Sequence, residues 1–371
     1  MNKAPLLLTP GPLTTSASVK QAMLRDWGSR DPAFIRLNSS VRERLLGIVN
    51  AKETHICVPV QGSGTFAVEA MIGTLLPRQG AKLLVLVNGA YGHRMVKMTK
   101  IIGRPVEFME WAEDQPVSPC EVESRLQNDP SLTHVAAVYC ETTSGILNPI
   151  HELAEVVKRQ GRVFLIDAMS AFGALPLDAA VTPFTAVAAS SNKCLEGAPG
   201  MGFVIIERAA LEASAGNAHS LSLDLYDQAK GFATNDQWRF TPPTHVVAAF
   251  SQALDEFDQE GGVTGRGRRY RENLAILLSG MRDMGFVPLL PEDLQAPIIV
   301  TFRMPADPAF NFQTFYAKLG EKGYLIYPGK LTVADSFRIG CIGRLGAKDM
   351  QGALLAIKEA LAEMRVKSGM A

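Results

Sequence analysis

The sequence predicts an α/β fold: a large domain on a mostly parallel central sheet, then a smaller α+β C-terminal domain. Three observations carry this. Short runs such as Val163-Phe164-Leu165-Ile166-Asp167 are apolar at consecutive positions, the pattern of strands buried on both faces of a sheet. Such runs alternate with helix-like segments from about residue 16 to residue 260. The alternation then breaks at the glycine-rich Gly261-Gly262-Val263-Thr264-Gly265-Arg266-Gly267.

Taken in order, residues 82–87, 134–138, 163–167 and 186–193 read as buried strands, and 67–76 reads as a helix. Beyond the glycines, 268–284 is amphipathic at helical spacing, 298–302 reads as a strand, 312–322 as a helix and 336–340 as a strand. A last helix covers about 347–364. The expected division is therefore a large domain over 16–260. Residues 261–371 form the small domain, joined by an N-terminal arm, 1–15.

Composition narrows the function classes. A 47% hydrophobic and 20% charged chain is that of a globular, soluble protein. Formal net charge is zero and no basic block occurs, so nucleic acid and anionic membrane are not expected partners. The start, Met1-Asn2-Lys3-Ala4-Pro5, meets a Pro-Gly-Pro turn after only three leucines, too short an apolar run for a signal peptide. Cysteines stand singly at 57, 120, 140, 194 and 341, without metal-ligand spacing, so no metal is expected and a reduced, cytoplasmic protein fits.

Asp167 and Lys193 carry the chemistry. Each closes an apolar run, and 26 residues separate them (193 − 167), enough for a short crossover between neighbouring strands. An open α/β sheet binds ligands at the carboxyl ends of its strands, so a carboxylate and an amine reach one rim. Pyridoxal phosphate needs that pair: a lysine for its aldehyde and an aspartate under its ring nitrogen. Alone, the pair also fits a buried ion pair or two solvated strand ends.

Three further segments bear on the choice. Gln61-Gly62-Ser63-Gly64-Thr65-Phe66 opens the helix 67–76 with small residues and hydroxyls, a cup for an anion at a helix N-terminus, or an ordinary capped start. It matches neither the Walker pattern nor the dinucleotide fingerprint. Asn88-Gly89-Ala90-Tyr91-Gly92 puts an aromatic on a glycine-flanked loop, where it can stack on a planar cofactor or sit in a turn. Glu141-Thr142-Thr143-Ser144 offers hydroxyls after another apolar run, or a polar βα loop with a helix cap.

In this order the segments resemble the fold-type I pyridoxal-phosphate aminotransferases of class V, over nearly the whole chain. Within that branch the likeness is greatest to members that move an amino group from 2-aminoethylphosphonate to pyruvate. It rests on Leu8-Thr9-Pro10-Gly11-Pro12-Leu13-Thr14-Thr15-Ser16, Arg25-Asp26-Trp27-Gly28-Ser29-Arg30-Asp31, Asp167-Ala168-Met169-Ser170-Ala171-Phe172-Gly173 and Phe240-Thr241-Pro242-Pro243-Thr244. The Thr-Pro-Gly-Pro opening is shared with alanine–glyoxylate and serine–glyoxylate relatives and marks the branch only. The alanine–glyoxylate relatives carry Trp at the position matching Tyr91.

The resemblance implies roles. Lys193 binds the cofactor's aldehyde and shuttles the proton, and Asp167 holds the ring nitrogen protonated. Tyr91 stacks on the ring; Ser63, Gly64 and Thr65 hold the phosphate; Thr143, ahead of Thr142, reaches the ring oxygen. Thr241 or Thr244 reaches the phosphate of a neighbouring subunit, which makes the site the property of a homodimer. Arg338 suits the substrate anion, because a planar guanidinium fork fits carboxylate and also holds phosphonate. Gly11 lets backbone approach the same anion, and Arg30 and Arg94 are rival ligands. Cys194 is read as a packing residue. Class V also contains cysteine desulfurases, but Cys341 lies in a strand-like run rather than a flexible loop and is not read as a nucleophile. Three functions are carried forward: 2-aminoethylphosphonate–pyruvate transamination, amino transfer of the alanine– or serine–glyoxylate type, and a catalytically silent binding protein on the same fold.

Overall fold

The structure is a computed structural model that describes residues 4–331 and 335–367. Residues 1–3, 332–334 and 368–371, all within the expected small domain and its arm, lie outside the described residues.

Seven strands build the central sheet: β1 (His55–Gln61), β2 (Leu83–Val87), β3 (Val106–Glu110), β4 (His134–Val138), β5 (Val163–Asp167), β6 (Ala186–Ser190) and β7 (Met201–Glu207). Their order is β1-β7-β6-β5-β4-β2-β3. All neighbours are parallel except β7, which runs antiparallel to β1 and β6. The consecutive apolar residues have a direct cause. Leu84, Val135, Phe164, Ile166 and Val187 enter the core on one face. Their neighbours Leu83, Ala136, Leu165, Ala186 and Ala188 enter the core on the other. Alternate side chains of a strand point to opposite faces, so a sheet covered on both sides needs apolar residues at every position.

The helix Gly64–Leu75 packs over β7 and β6 at the middle of the sheet. Pro32–Ile48 and Thr244–Gln259 pack together in the layer beside β1. A third core gathers Leu277, Phe286, Phe302, Phe315, Phe337 and Ile357, from Gly262–Asp283, a three-stranded sheet and the last two helices. In that sheet Ile299–Arg303 and Tyr327–Pro328 flank Ser336–Gly340, both antiparallel to it. Leu6–Leu7 pairs in parallel with Tyr324–Leu325 and so attaches the N-terminal segment to this part of the chain.

Two expectations need correction. The run 186–193 is not strand to its end: β6 stops at Ser190, and Lys193 stands on the turn beyond it. Gly197 N–H donates to Ser191 O at 2.8 Å and Glu196 N–H to Lys193 O at 2.8 Å, which closes that turn. The glycine-rich break is only a short turn. The helix Gly262–Asp283 begins inside it, because a Cβ on Gly267 would stand 2.5 Å from Ala174 O. Glycine there permits close packing of the helix on the large sheet's layer rather than slack.

Candidate active site

β1, β4, β5 and β6 all end at one rim, where Gln61 lies opposite Met201 and Gly202 opposite Ser190. A cavity of about 550 Å³ opens there. Its wall includes Gly11, Ser63, Gly64, Thr65, Tyr91, Arg94, Thr142, Asp167, Ser190 and Lys193. The topology thus brings together residues more than 180 positions apart (193 − 11 = 182).

Asp167 is the last residue of β5 and is buried. Met169 N–H donates to its Oδ1 at 2.9 Å. Burial pushes its carboxyl up to about 6, the nearby Glu141 adds to the rise, and Arg94 and Lys193 oppose it. Lys193 Nζ donates to Pro10 O at 2.6 Å. Burial lowers its pKa, with the Arg338 charge acting the same way, while Tyr91, Cys194 and Asp167 oppose. The turn Thr9–Pro12 therefore holds the amine. Gly11 has φ +110°, and a Cβ there would stand 2.6 Å from Lys193 Cδ. Only glycine lets the backbone pass so close to the lysine stem.

Ser63 is the N-cap of Gly64–Leu75, yet its side chain makes no capping hydrogen bond. The hydroxyl and the first helical N–H groups therefore face an anion-sized space at a helix N-terminus. Arg94 Nη1 donates to Thr65 Oγ1 at 3.3 Å, and its guanidinium lies 4.6 Å from the Tyr91 ring centroid. Burial alone would raise the Tyr91 hydroxyl; its hydrogen bond with Thr142 and the charges of Lys193, Lys330 and Arg94 bring it below the usual tyrosine value.

The structure places the two adjacent threonines differently. Thr143 is fully buried, its hydroxyl donating to Glu141 Oε1 at 2.6 Å and accepting from Ala90 N–H at 2.9 Å. Thr142 lines the cavity instead. The cause is Glu141, which the sequence reading leaves without a role. Its carboxylate also accepts from Tyr91 N–H at 3.1 Å and Gly92 N–H at 3.3 Å. It joins the loop after β4 to the start of the helix Ala90–Ile101, and so fixes Tyr91 relative to Thr142. Ser190, also without an assigned role, lines the cavity with a buried hydroxyl that has no hydrogen-bond partner among the described residues.

Arg338 is buried just behind this wall. Its Nε donates to Pro328 O at 3.1 Å and its Nη1 to Thr142 O at 2.8 Å. Burial lowers its pKa slightly from the ordinary arginine value, opposed by Tyr91, Tyr327 and Glu141. Arg30 is exposed ahead of Pro32–Ile48 and does not line the cavity. Thr241 and Thr244 do not line their own chain's cavity; Val246, two residues after Thr244, packs 3.1 Å from a Cβ position on Gly200 of its wall. Cys194 and Cys341 are buried, each thiol pushed up to about 12 by burial. Among the described residues no cluster of His, Cys, Asp and Glu could hold a metal ion, and no helix is long and apolar enough to cross a membrane.

The residues fit pyridoxal phosphate. A carboxylate raised to about 6 beside an amine lacks a strong cationic partner, which a pyridinium N–H supplies. The Ser190 hydroxyl, without a partner among the described residues, and the uncapped helix start are polar groups that a bound phosphorylated ligand satisfies.

The fold and this rim define a class. The family model for class V aminotransferases matches residues 17–330, and the chain belongs to that family, whose cofactor is pyridoxal 5′-phosphate. Among relatives, a 2-aminoethylphosphonate–pyruvate transaminase of Pseudomonas putida is 56% identical over 366 residues, covering 99% of each chain. The protein of that name from Pseudomonas aeruginosa is 54% identical and covers 98% of each. Among solved structures, ureidoglycine–glyoxylate aminotransferase of Bacillus subtilis superposes with TM-score 0.90 at 19% identity, covering 100% of this chain and 96% of the other. Alanine–glyoxylate aminotransferase of Nostoc sp. gives 0.90 at 24% identity, covering 97% and 96%. At such identities these two show the fold alone.

Proposed function

We propose that this enzyme transfers the amino group of 2-aminoethylphosphonate to pyruvate, giving phosphonoacetaldehyde and L-alanine, and so serves phosphonate catabolism. The observation that carries the reading is the pairing of Lys193 and Asp167 on one cavity wall with the Arg338 guanidinium behind it. Relatives 56% identical over 99% of the chain carry the same activity in their names. The alanine–glyoxylate type has only distant structural likeness in its favour.

When bound, pyridoxal phosphate supplies an aldehyde that captures the donor's nitrogen and a ring that accepts the electron pair left on the substrate carbon. The chain's residues do the rest. Lys193, with its pKa lowered by burial, is neutral often enough to take the proton from the carbon bearing the nitrogen and to return one at C4′. Asp167 would hold the ring nitrogen protonated with its negative charge. Tyr91 would wall the ring, and Ser63, Gly64, Thr65 and Arg94, which line the cavity, would hold the phosphate. Thr142 takes the place expected of Thr143. Arg338 holds first the phosphonate and then the pyruvate carboxylate.

Thr241 and Thr244 do not line their own chain's cavity, which supports their service to a neighbouring subunit in a homodimer. Light scattering tests that with an expected mass of twice 40.1 kDa, or a multiple. Five cysteines without a disulfide support a cytoplasmic setting. The activity itself is tested by mixing the pyridoxal form with single amines and following conversion to the pyridoxamine form. 2-Aminoethylphosphonate should convert fastest. Faster conversion by alanine or serine, with glyoxylate as the better acceptor, would overturn the substrate assignment.

A further inference from the structure

Four cations gather around Tyr91: Arg94, Lys193, Lys330 and Arg338. Among the described residues none of the four has a carboxylate within salt-bridge distance. Lys193 and Arg338 bond to backbone carbonyls, Arg94 to the Thr65 hydroxyl, and Lys330 Nζ rests 4.1 Å from the Tyr91 ring centroid. Asp167 faces Lys193 and Arg94, and Glu141 faces Arg338. Glu141 is already bonded to Tyr91, Gly92 and Thr143.

Three of the cations have work in the proposed reaction. Arg94 is fixed at the phosphate cup by Thr65. Lys193 is the amine. Arg338 is the anion fork. Lys330 is left over, and its place is not accidental. Pro328, two residues earlier, accepts from Arg338 Nε at 3.1 Å. Gly329 N–H donates to Ser336 O at 2.9 Å, which ties the turn to the strand carrying Arg338. The lysine thus leaves a backbone anchored at the guanidinium and lays its charge on the ring that walls the cavity.

We propose that Lys330 is a specificity residue of this site, supplying the second positive charge that distinguishes a phosphonate dianion from a carboxylate monoanion. The inference rests on the substrate reading above. A phosphonate carries two negative charges above its second pKa, as a phosphate monoester does, where a carboxylate carries no more than one at any pH. Arg338 alone balances the carboxylate; the phosphonate needs one charge more. Lysine suits a contact that only one of the two substrates uses. Its ammonium is a point charge on a flexible stem. In this structure it lies against the Tyr91 face.

The test uses the cofactor-loaded enzyme with two unreactive anions, ethylphosphonate and propionate, in titration calorimetry at a pH above the second pKa of the phosphonate. Wild type should bind ethylphosphonate at least about tenfold more tightly than propionate, the worth of one charge-assisted contact. Lys330→Met should reduce that preference to less than about threefold, and Lys330→Arg should keep most of it. In turnover, Lys330→Met should raise KM for 2-aminoethylphosphonate about tenfold and KM for alanine less than about threefold, with kcat little changed. An unchanged preference in Lys330→Met, or equal losses for both anions, overturns the proposal. If wild type fails to use 2-aminoethylphosphonate, the substrate reading falls and this inference with it. If it uses that donor and the preference survives in the variant, only the role of Lys330 is rejected.

Discussion

Replacing Asp167 by Asn should make the cofactor-free protein more stable and the loaded enzyme nearly inactive. Asp167 is 5% exposed, and its carboxyl is raised from 3.8 to about 6, chiefly by burial. A group whose folded pKa lies above its unfolded value binds a proton more readily in the fold. Its favourable contribution is complete below the unfolded value and is lost as pH rises through the folded one. At pH 7.5 the ionised carboxylate therefore costs the fold up to about 3 kcal/mol, at about 1.4 kcal/mol per pH unit between the two values. At pH 5 the cost falls to about 1.6 kcal/mol by the same relation. Asparagine keeps the shape, keeps an acceptor for Met169 N–H and has no charge to bury. Urea denaturation of both proteins without cofactor, at pH 7.5 and pH 5, should show the variant ahead by a margin that shrinks on acidification. Turnover of the loaded variant should fall by at least about two orders of magnitude, as when one preorganised electrostatic group is removed. A variant that is less stable than wild type at pH 7.5, or equally active, would show that the carboxylate is part of the scaffold rather than a charge held ready for the cofactor.

Three other perturbations follow from the same geometry. Lys193→Ala should abolish steady-state transamination, since the nucleophile and the proton carrier go together; near-normal turnover in a continuous alanine assay would reject the role. Gly11→Ala puts a methyl 2.6 Å from Lys193 Cδ at φ +110°. It should cost about 1–3 kcal/mol in a denaturation midpoint and slow single turnovers by up to about a hundredfold, and an unchanged single-turnover rate would count against the close approach. Arg269→Ala should cost about 3 kcal/mol of stability, because Glu196, buried at φ +58° on the Lys193 turn, loses its 2.7 Å partner; a midpoint within error of wild type would show that Arg266, 3.6 Å from Glu196, suffices.

The legibility of this chain followed the range of the interactions concerned. Asp167 could be read directly, because an apolar run that ends in a carboxylate states its own burial and its own end. Lys193 could be read as to role but not as to place. The sequence 186–191 is apolar or small throughout, and only the Ser191–Gly197 turn shows that the strand has stopped at Ser190, three residues before Lys193. The glycines at 261–267 looked like a break between domains because glycine is ambiguous in sequence: it marks both slack and close packing. The contact that decides between them, Gly267 against Ala174, spans 93 residues (267 − 174). The order of Thr143 ahead of Thr142 had no support in the residues themselves. They are adjacent, alike and equally plausible as ligands. The choice belongs to Glu141, whose carboxylate takes the Thr143 hydroxyl and leaves Thr142 on the cavity wall.

The same reasoning accounts for Lys330. A lysine in a loop reads as solvated surface, and nothing within its neighbourhood in sequence argues otherwise. Its meaning depends on two returns of the chain. One is the strand pairing of Tyr327 with Arg338, which sets the turn beside the guanidinium. The other is the contact of Lys330 with Tyr91, 239 residues earlier (330 − 91). Electrostatic specificity is assembled in this way because charge acts through space and is weakened by water. A cation far from any carboxylate costs little at the surface, but at a half-enclosed wall shared with three other cations it raises the local potential for every anion that enters. The cup end of that field is matched by the cofactor's phosphate. The Arg338 end remains positive by more than a carboxylate can balance, and that excess is what a doubly charged phosphonate would neutralise.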